Sequence, residues 1–131
     1  MKLVSADNEK DFLMEDRDVA VSIESTTSVP HQKIIAIRGT VDRDTSFRVN
    51  EKVLPLIEQE KADIILDLSN LDYLSNFGVM SIVKYLVICN DKNKLFKIVN
   101  PPKSVHDTMV VFGISNKFDI YDNVEAAINT S

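Results

Sequence analysis

The chain has 131 residues, 44% of them hydrophobic, which is enough for one buried core and too few for two independent ones. Its 15 Lys and Arg residues against 20 Asp and Glu residues give a net charge of −5. This charge argues against nucleic-acid binding, which depends on clustered cations. The single cysteine, Cys89, excludes a disulfide framework and indicates a reducing compartment, so we expect a cytoplasmic protein. The first residues lack the apolar segment of a signal peptide, and no stretch approaches the ~18 apolar residues of a membrane helix, so we expect no membrane insertion.

The first half of the chain predicts an arm followed by a β-hairpin. Residues 1–18 are rich in charge without a clear period, and we expect a loosely held arm that can add an edge strand. Residues 19–131 are expected to form a single domain. Apolar residues alternate in 19–23, and a polar loop separates them from the apolar run 34–37, which predicts a hairpin. Gly39 is expected to end its second strand.

A helix and a buried strand are predicted next. The helix is expected from about Asp44 or Thr45 to Gln59. Pro55 removes a helical hydrogen bond, so we expect a kink there or a second short helix. The run Ile64–Leu68 is almost wholly apolar and β-branched, which is typical of a strand in the middle of a sheet.

The remaining sequence alternates helices with strands. Helical spacing in 78–90 predicts a helix that buries Val79, Ile82, Val83 and Leu86. A strand at 95–99, a helix after residues 100–102 that ends at Gly113, a strand at 118–121 and a short helix at 123–128 are expected to follow. The third helix should bury Val105, Met109 and Phe112. The order predicts a mixed α/β sheet, with an initial antiparallel hairpin, then parallel β-α units, and about four helices.

Four local motifs in this order resemble the STAS domain of bacterial anti-sigma factor antagonists, over roughly residues 19–128. They are Ile37-Arg38-Gly39-Thr40-Val41-Asp42, Ile65-Leu66-Asp67-Leu68-Ser69, the turn Leu74 to Val79, and Val111-Phe112-Gly113-Ile114. The resemblance implies a protein-binding module rather than an enzyme, which regulates transcription by partner switching. Its implied partner is an anti-sigma factor or a related histidine-kinase-like serine kinase. That partner would bind ATP, whereas this chain would need no cofactor.

The turn before the second helix departs from the family pattern. In the family it reads Asp-Ser-Ser-Gly or Asp-Ser-Thr-Gly, and the residue after Asp accepts phosphate. Here the matching positions are Ser75, Asn76, Phe77 and Gly78. The amide of Asn76 has no nucleophilic hydroxyl, so the resemblance implies that the phosphorylation switch is missing. Ser75 is a weak substitute acceptor, and we expect it to cap the helix.

The second helix carries apolar side chains on more sides than packing against a sheet requires. We expect Phe77, Met80, Lys84 and Ile88 on its outer or flanking surface, with Tyr85 near the edge. Such a row predicts a patch for another protein, although the N-terminal arm or a dimer partner is an alternative cover. Together with the family turn, it predicts a partner-binding surface of Thr40, Asp42, Ser75, Asn76, Phe77, Gly78, Met80, Ser81, Lys84 and Ile88.

Other functions and sites have weaker support. A structural or scaffold subunit, including a homodimer, would keep the interface and lose signalling. A sensor of an anionic small molecule or lipid would use the positive end of the second helix.

The chain's three glycines are too dispersed for a phosphate-binding loop, and its two histidines, His31 and His106, are too few to indicate catalysis. We expect strand-end hydrogen bonds rather than a metal at Asp63, Asp67 and Asp72, and a buried, inert Cys89.

Overall fold

The described part of the chain forms one mixed sheet with helices on both faces. It is a computed structural model and covers residues 10–26, 31–59 and 61–130. The strands are β1 (Asp11–Glu15), β2 (Val19–Ser25), β3 (Gln32–Val41), β4 (Asp63–Asp67), β5 (Leu71–Leu74), β6 (Phe96–Val99) and β7 (Asp119–Tyr121). The helices are α1 (Arg43–Gln59), α2 (Asn76–Asp91), α3 (Lys103–Val111) and α4 (Val124–Asn129), with a 3₁₀ turn at Ser115–Lys117.

The sheet order is β1-β2-β3-β4-β6-β7, and β5 pairs with the end of β3. The first three strands pair antiparallel and the later pairs are parallel, which confirms the predicted mixed α/β fold. The predicted edge strand within the N-terminal arm is β1, whereas residues 1–9 of that arm lie outside the described residues. The predicted hairpin is confirmed, and part of its loop, residues 27–30, also lies outside them.

The apolar run at β4 follows from its central place in the sheet. Hydrogen bonds join β4 to β3 on one side and to β6 on the other. Ile64 and Leu66 face the main core, which α1, α2 and α3 cover, whereas Ile65 faces a smaller cluster under α4. Both faces of the strand are therefore buried, so it has no need for alternating polar residues.

Two buried lysines each donate hydrogen bonds to the carbonyls at the C-terminal end of a helix. The ammonium of Lys94 donates to the carbonyl of Ile57 in the last turn of α1. The ammonium of Lys97 donates to the carbonyls of Ala127, at 2.7 Å, and Thr130 at the end of α4. These carbonyls have no helical partner and carry the negative end of the helix dipole, so a lysine satisfies both their hydrogen bonding and their charge.

Gly39 does not end β3, contrary to the prediction. It lies within the strand at φ +97°, where the ladder to β5 shifts register, and the strand continues to Val41. A Cβ at this position would lie 2.1 Å from the carbonyl oxygen of Asp18, which also accepts a hydrogen bond from the amide of Thr40. Glycine is therefore required by both backbone conformation and close approach.

Three helices differ from the predictions in detail. Helix α1 continues through Pro55 rather than restarting there, and Pro55 is exposed, so the carbonyl that lacks a helical partner can be hydrated. In α2, Tyr85 is fully buried rather than at the edge, and its hydroxyl donates to Asn50 on α1. In α3, Val105 and Met109 are buried as predicted, but Phe112 follows the helix and is 44% exposed.

Candidate functional site

The turn from β3 into α1 is built around Asp42. Its Oδ1 accepts from the amide of Thr45 at 2.9 Å, and its own amide donates to Thr45 Oγ1 at 2.8 Å. The threonine hydroxyl donates to the carbonyl of Thr40 at 2.8 Å. The hydrogen bond from the backbone amide of Thr45 is the main reason that the pKa of Asp42 is lowered. Asp42 thus caps α1, and half-buried Thr40 supports the turn through its backbone.

Ser75 plays the corresponding role at the start of α2. Its Oγ accepts from the amide of Gly78 at 3.3 Å, which confirms the predicted cap. Its amide donates to the carbonyl of Val41 at 2.8 Å, so the turn into α2 is joined to the turn into α1. Asn76 follows as the first helical residue and is exposed. The two turns therefore hold the beginnings of both helices side by side.

Gly78 allows α2 to approach the ends of β3 and β5. A Cβ there would lie 2.4 Å from Leu74 Cδ1 and 2.9 Å from Val41 Cγ1. Ser81, one turn later, is also buried, and its hydroxyl donates to the carbonyl of Phe77 at 3.0 Å. Both residues belong to the predicted partner-binding set, but the structure places them beneath the surface, where small side chains let the helix pack closely.

Exposed apolar side chains lie above these two turns. Phe77 is 45% exposed and Met80 is 65% exposed on α2. The guanidinium carbon of Arg43, in the first turn of α1, lies 6.0 Å from the centre of the Phe77 ring. Phe47, one helical turn after Arg43, is 60% exposed. We call the surface formed by Arg43, Phe47, Phe77, Met80 and Lys84 the α1–α2 face.

The sequence-based prediction of this surface missed Phe47, and it placed Ile88 rather than Val87 in the outer row of α2. Phe47 falls outside the buried stripe of α1, a position that helical periodicity could have identified. Lys84 is exposed as predicted, but Ile88 is half-buried and packs against the core. Val87, which is half exposed, continues the outer row instead.

Two of the three aspartates considered in the sequence, Asp63 and Asp67, and the cysteine have structural roles. Asp63 Oδ1 accepts from the amide of Leu95 at 2.9 Å, and Asp67 Oδ1 accepts from the amide of Ser69 at 3.0 Å, as expected for strand ends. Among the described residues, no group of acidic, histidine or cysteine side chains is arranged to hold a metal ion. Burial raises the pKa of the Cys89 thiol to about 11, so it stays protonated and unreactive. No helix in the described ranges is long and apolar enough to cross a bilayer.

Solved structures with this fold include anti-sigma factor antagonists. The antagonist from Mycobacterium paratuberculosis is 13% identical and aligns over 85% of this chain and 92% of its own, with a TM-score of 0.72. A serine-to-glutamate variant of RsbS from Moorella thermoacetica is 18% identical and aligns over 80% of this chain and 88% of its own, with a TM-score of 0.66. Phosphorylated SpoIIAA from Bacillus is 16% identical over 82% and 96%, with a TM-score of 0.62.

At these identities the structural matches establish the fold alone. Membership of a family is established instead by a match of the sequence to a family model. A comparison with curated protein sequences finds no significant match. The family model described as the STAS domain matches residues 20–127, which include β3, both turns and the α1–α2 face. The chain therefore belongs to the STAS domain family.

Proposed function

We propose that this chain is a non-enzymatic protein-binding module whose α1–α2 face docks onto an anti-sigma factor or a related serine kinase. The observation that carries the proposal is the exposure of Phe47 on α1 and of Phe77 and Met80 on α2, where Arg43 of α1 lies over the Phe77 ring. A helix that only covers a sheet needs one apolar stripe, and α2 already buries Val79 and Ile82 in the core.

The size of these side chains suits them to anchor an interface. Each of the three leaves about half of its surface in water, roughly 100 Å² for a large side chain. At ~25 cal/mol per Å², burying one of them under a partner contributes about 2.5 kcal/mol. Arg43 and Lys84 add cationic groups beside the apolar centre, and charged groups of this kind favour orientation and association rate more than affinity.

We further propose that phosphorylation at the family position does not regulate this interaction. Asn76 occupies that position, is exposed and has no hydroxyl. The hydroxyl of Ser75 is engaged with the amide of Gly78 as a helix cap. A phosphate beside Phe77 would bring about −1.5 to −2 charges into an apolar contact, which is the effect that the asparagine avoids. Binding would then depend on the abundance of the two proteins.

The docking test uses the anti-sigma-type kinases encoded in the same genome, purified and titrated against the full chain by calorimetry. Phe77→Asp and Met80→Asp should each weaken binding at least 100-fold, because each places a charge in a desolvated centre. Val111→Asp is the matched control, since Val111 is 84% exposed on α3 and belongs to a different surface; it should bind like the wild type. Equal affinity of all four proteins would contradict the proposal.

A second experiment tests the missing switch. The chain is incubated with its binding kinase and ATP, and the intact mass is measured. The wild type should gain no phosphoryl group, whereas Asn76→Ser should gain one and then bind more weakly. Phosphorylation of the wild-type chain at Ser75 would contradict this part of the proposal and leave the docking surface unaffected.

A further inference from the structure

The sheet carries a shallow trough on the face opposite α1 and α2. Its volume is about 80 Å³, and its lining includes Lys10, Phe12, Ala20, Ser22, Ala36 and Asp67. Ala20 and Ser22 alternate along β2 with Val19 and Val21, which belong to the main core, so their side chains face away from it. Helix α4 covers a neighbouring part of this face, over Ile34 and Ile65.

The trough exists because the middle of one cross-strand row is made of small side chains. Phe12 pairs with Ser22, Ser22 with Ala36, and Ala36 with Asp67, so the four side chains form a row across β1 to β4. The small hydroxyl and methyl groups form a recessed floor between an aromatic ring and a carboxylate. Ala20, the next residue of β2 on this face, extends the floor.

The polar groups of the trough are free to bind a ligand. Ser22 is only 5% exposed, and its hydroxyl makes no hydrogen bond with residues 10–26, 31–59 and 61–130, so this hydroxyl is open to the trough rather than sealed in the core. At Asp67, Ser69 uses Oδ1, and Oδ2 accepts no hydrogen bond within the same ranges. Lys10 supplies a cation at the opposite rim, and Arg38 is already paired with Glu15 at 3.2 Å.

We propose that this trough binds a small α-amino acid. Lys10 and the Ser22 hydroxyl would hold its carboxylate, Asp67 would accept from its ammonium, and its side chain would lie against the alanines. A purely anionic ligand would face the Asp67 carboxylate and a purely cationic one the Lys10 ammonium, so opposite charges at the two ends favour a dipolar ligand. Adjacent strands are about 4.8 Å apart, which separates Ser22 from Asp67 by roughly 10 Å. That span accommodates two hydrogen bonds of about 3 Å and a ligand of a few heavy atoms.

The test is a titration of the isotopically labelled full chain by amide NMR with glycine, L-alanine and L-serine. Saturable shifts are expected at Ser22 and Ala36, with α2 unaffected. Acetate and methylamine, which each carry one of the two charges, should bind at least tenfold more weakly than glycine. Absence of a saturable shift up to about 50 mM amino acid, a range chosen for ligands this small, would overturn the proposal. Equal binding of acetate would overturn the role of Asp67.

Two variants and a control locate the site. Ala36→Leu fills the floor and should abolish the shifts, and Lys10→Gln, at an exposed position, should weaken binding about tenfold. Lys52→Gln removes an exposed lysine from α1, on the other side of the sheet, and should change nothing. Equal binding of Lys10→Gln and the wild type would count against the site even if Ala36→Leu were poorly folded. Because the trough and the α1–α2 face lie on opposite sides of the sheet, a failure of the amino-acid proposal leaves the docking proposal intact.

Discussion

Gly78→Ala tests how α2 is held against the ends of β3 and β5. In an exposed helix this change stabilises by about 1 kcal/mol. Here the new Cβ would lie 2.4 Å from Leu74 Cδ1 and 2.9 Å from Val41 Cγ1, both in side chains that are at most 4% exposed. Overpacking of this kind costs about 3 kcal/mol at the upper end of the usual range. The net loss should be about 2 kcal/mol, or roughly 7 °C in Tm for a chain of this length.

The assay is urea unfolding followed by circular dichroism, with a double-mutant cycle that includes Leu74→Ala. Removing the leucine side chain removes the closest contact but leaves the one at 2.9 Å to Val41 Cγ1, so Gly78→Ala should become roughly neutral in that background. The coupling free energy between the two positions should be about 2 kcal/mol. If Gly78→Ala raises stability in the wild-type background, or costs the same with and without Leu74, the close-approach argument is wrong.

Three further predictions concern a strand, a cap and a thiol. Gly39→Ala should destabilise by at least about 3 kcal/mol, measured by thermal unfolding, because its Cβ would meet the Asp18 carbonyl at 2.1 Å in a strand position with φ +97°. The pKa of Asp42 is lowered by the Thr45 amide, so its stabilisation is complete above the ordinary value of 3.8 and is lost as the pH falls through the folded pKa. Asp42→Asn should therefore reduce the loss of stability on acidification, measured by urea midpoints between pH 2 and pH 5, the range in which carboxyls titrate; an unchanged pH profile would contradict the cap. Cys89, whose pKa is raised to about 11, should react with a thiol reagent at pH 8 only after unfolding, and rapid labelling of the native chain would contradict its burial.

The parts of the fold that follow a strong local pattern were predictable. The buried strand β4 is a β-branched apolar run, and α2 has helical spacing. Strand β5 was missed because its four residues, Leu71–Leu74, neither alternate nor form an apolar run, and only pairing with the end of β3 makes them a strand. Gly39 was misassigned for the same reason, since its conformation depends on the distant carbonyl of Asp18.

For the candidate site, the sequence indicates which motif to consider but does not indicate how deeply each of its residues is buried. A motif places residues along the chain but does not state their depth, so Gly78 and Ser81 entered the predicted surface although packing buries them. The periodicity of α1 marks Phe47 as an outward position, but nothing in its local sequence links it to α2. The link is tertiary, through the contact of Arg43 with the Phe77 ring.

The hydrogen bonds around the two turns bear on how the proposed docking would be regulated. Asp42 and Ser75 each cap a helix, and the bond from the Ser75 amide to the Val41 carbonyl joins the caps. The backbone beneath the exposed apolar groups is therefore held by these bonds, so the proposed docking would order side chains rather than the helix ends. On the proposed function, this surface carries asparagine at position 76, where the family has its phosphate acceptor. Regulation, on this proposal, must act on the partner or on protein levels.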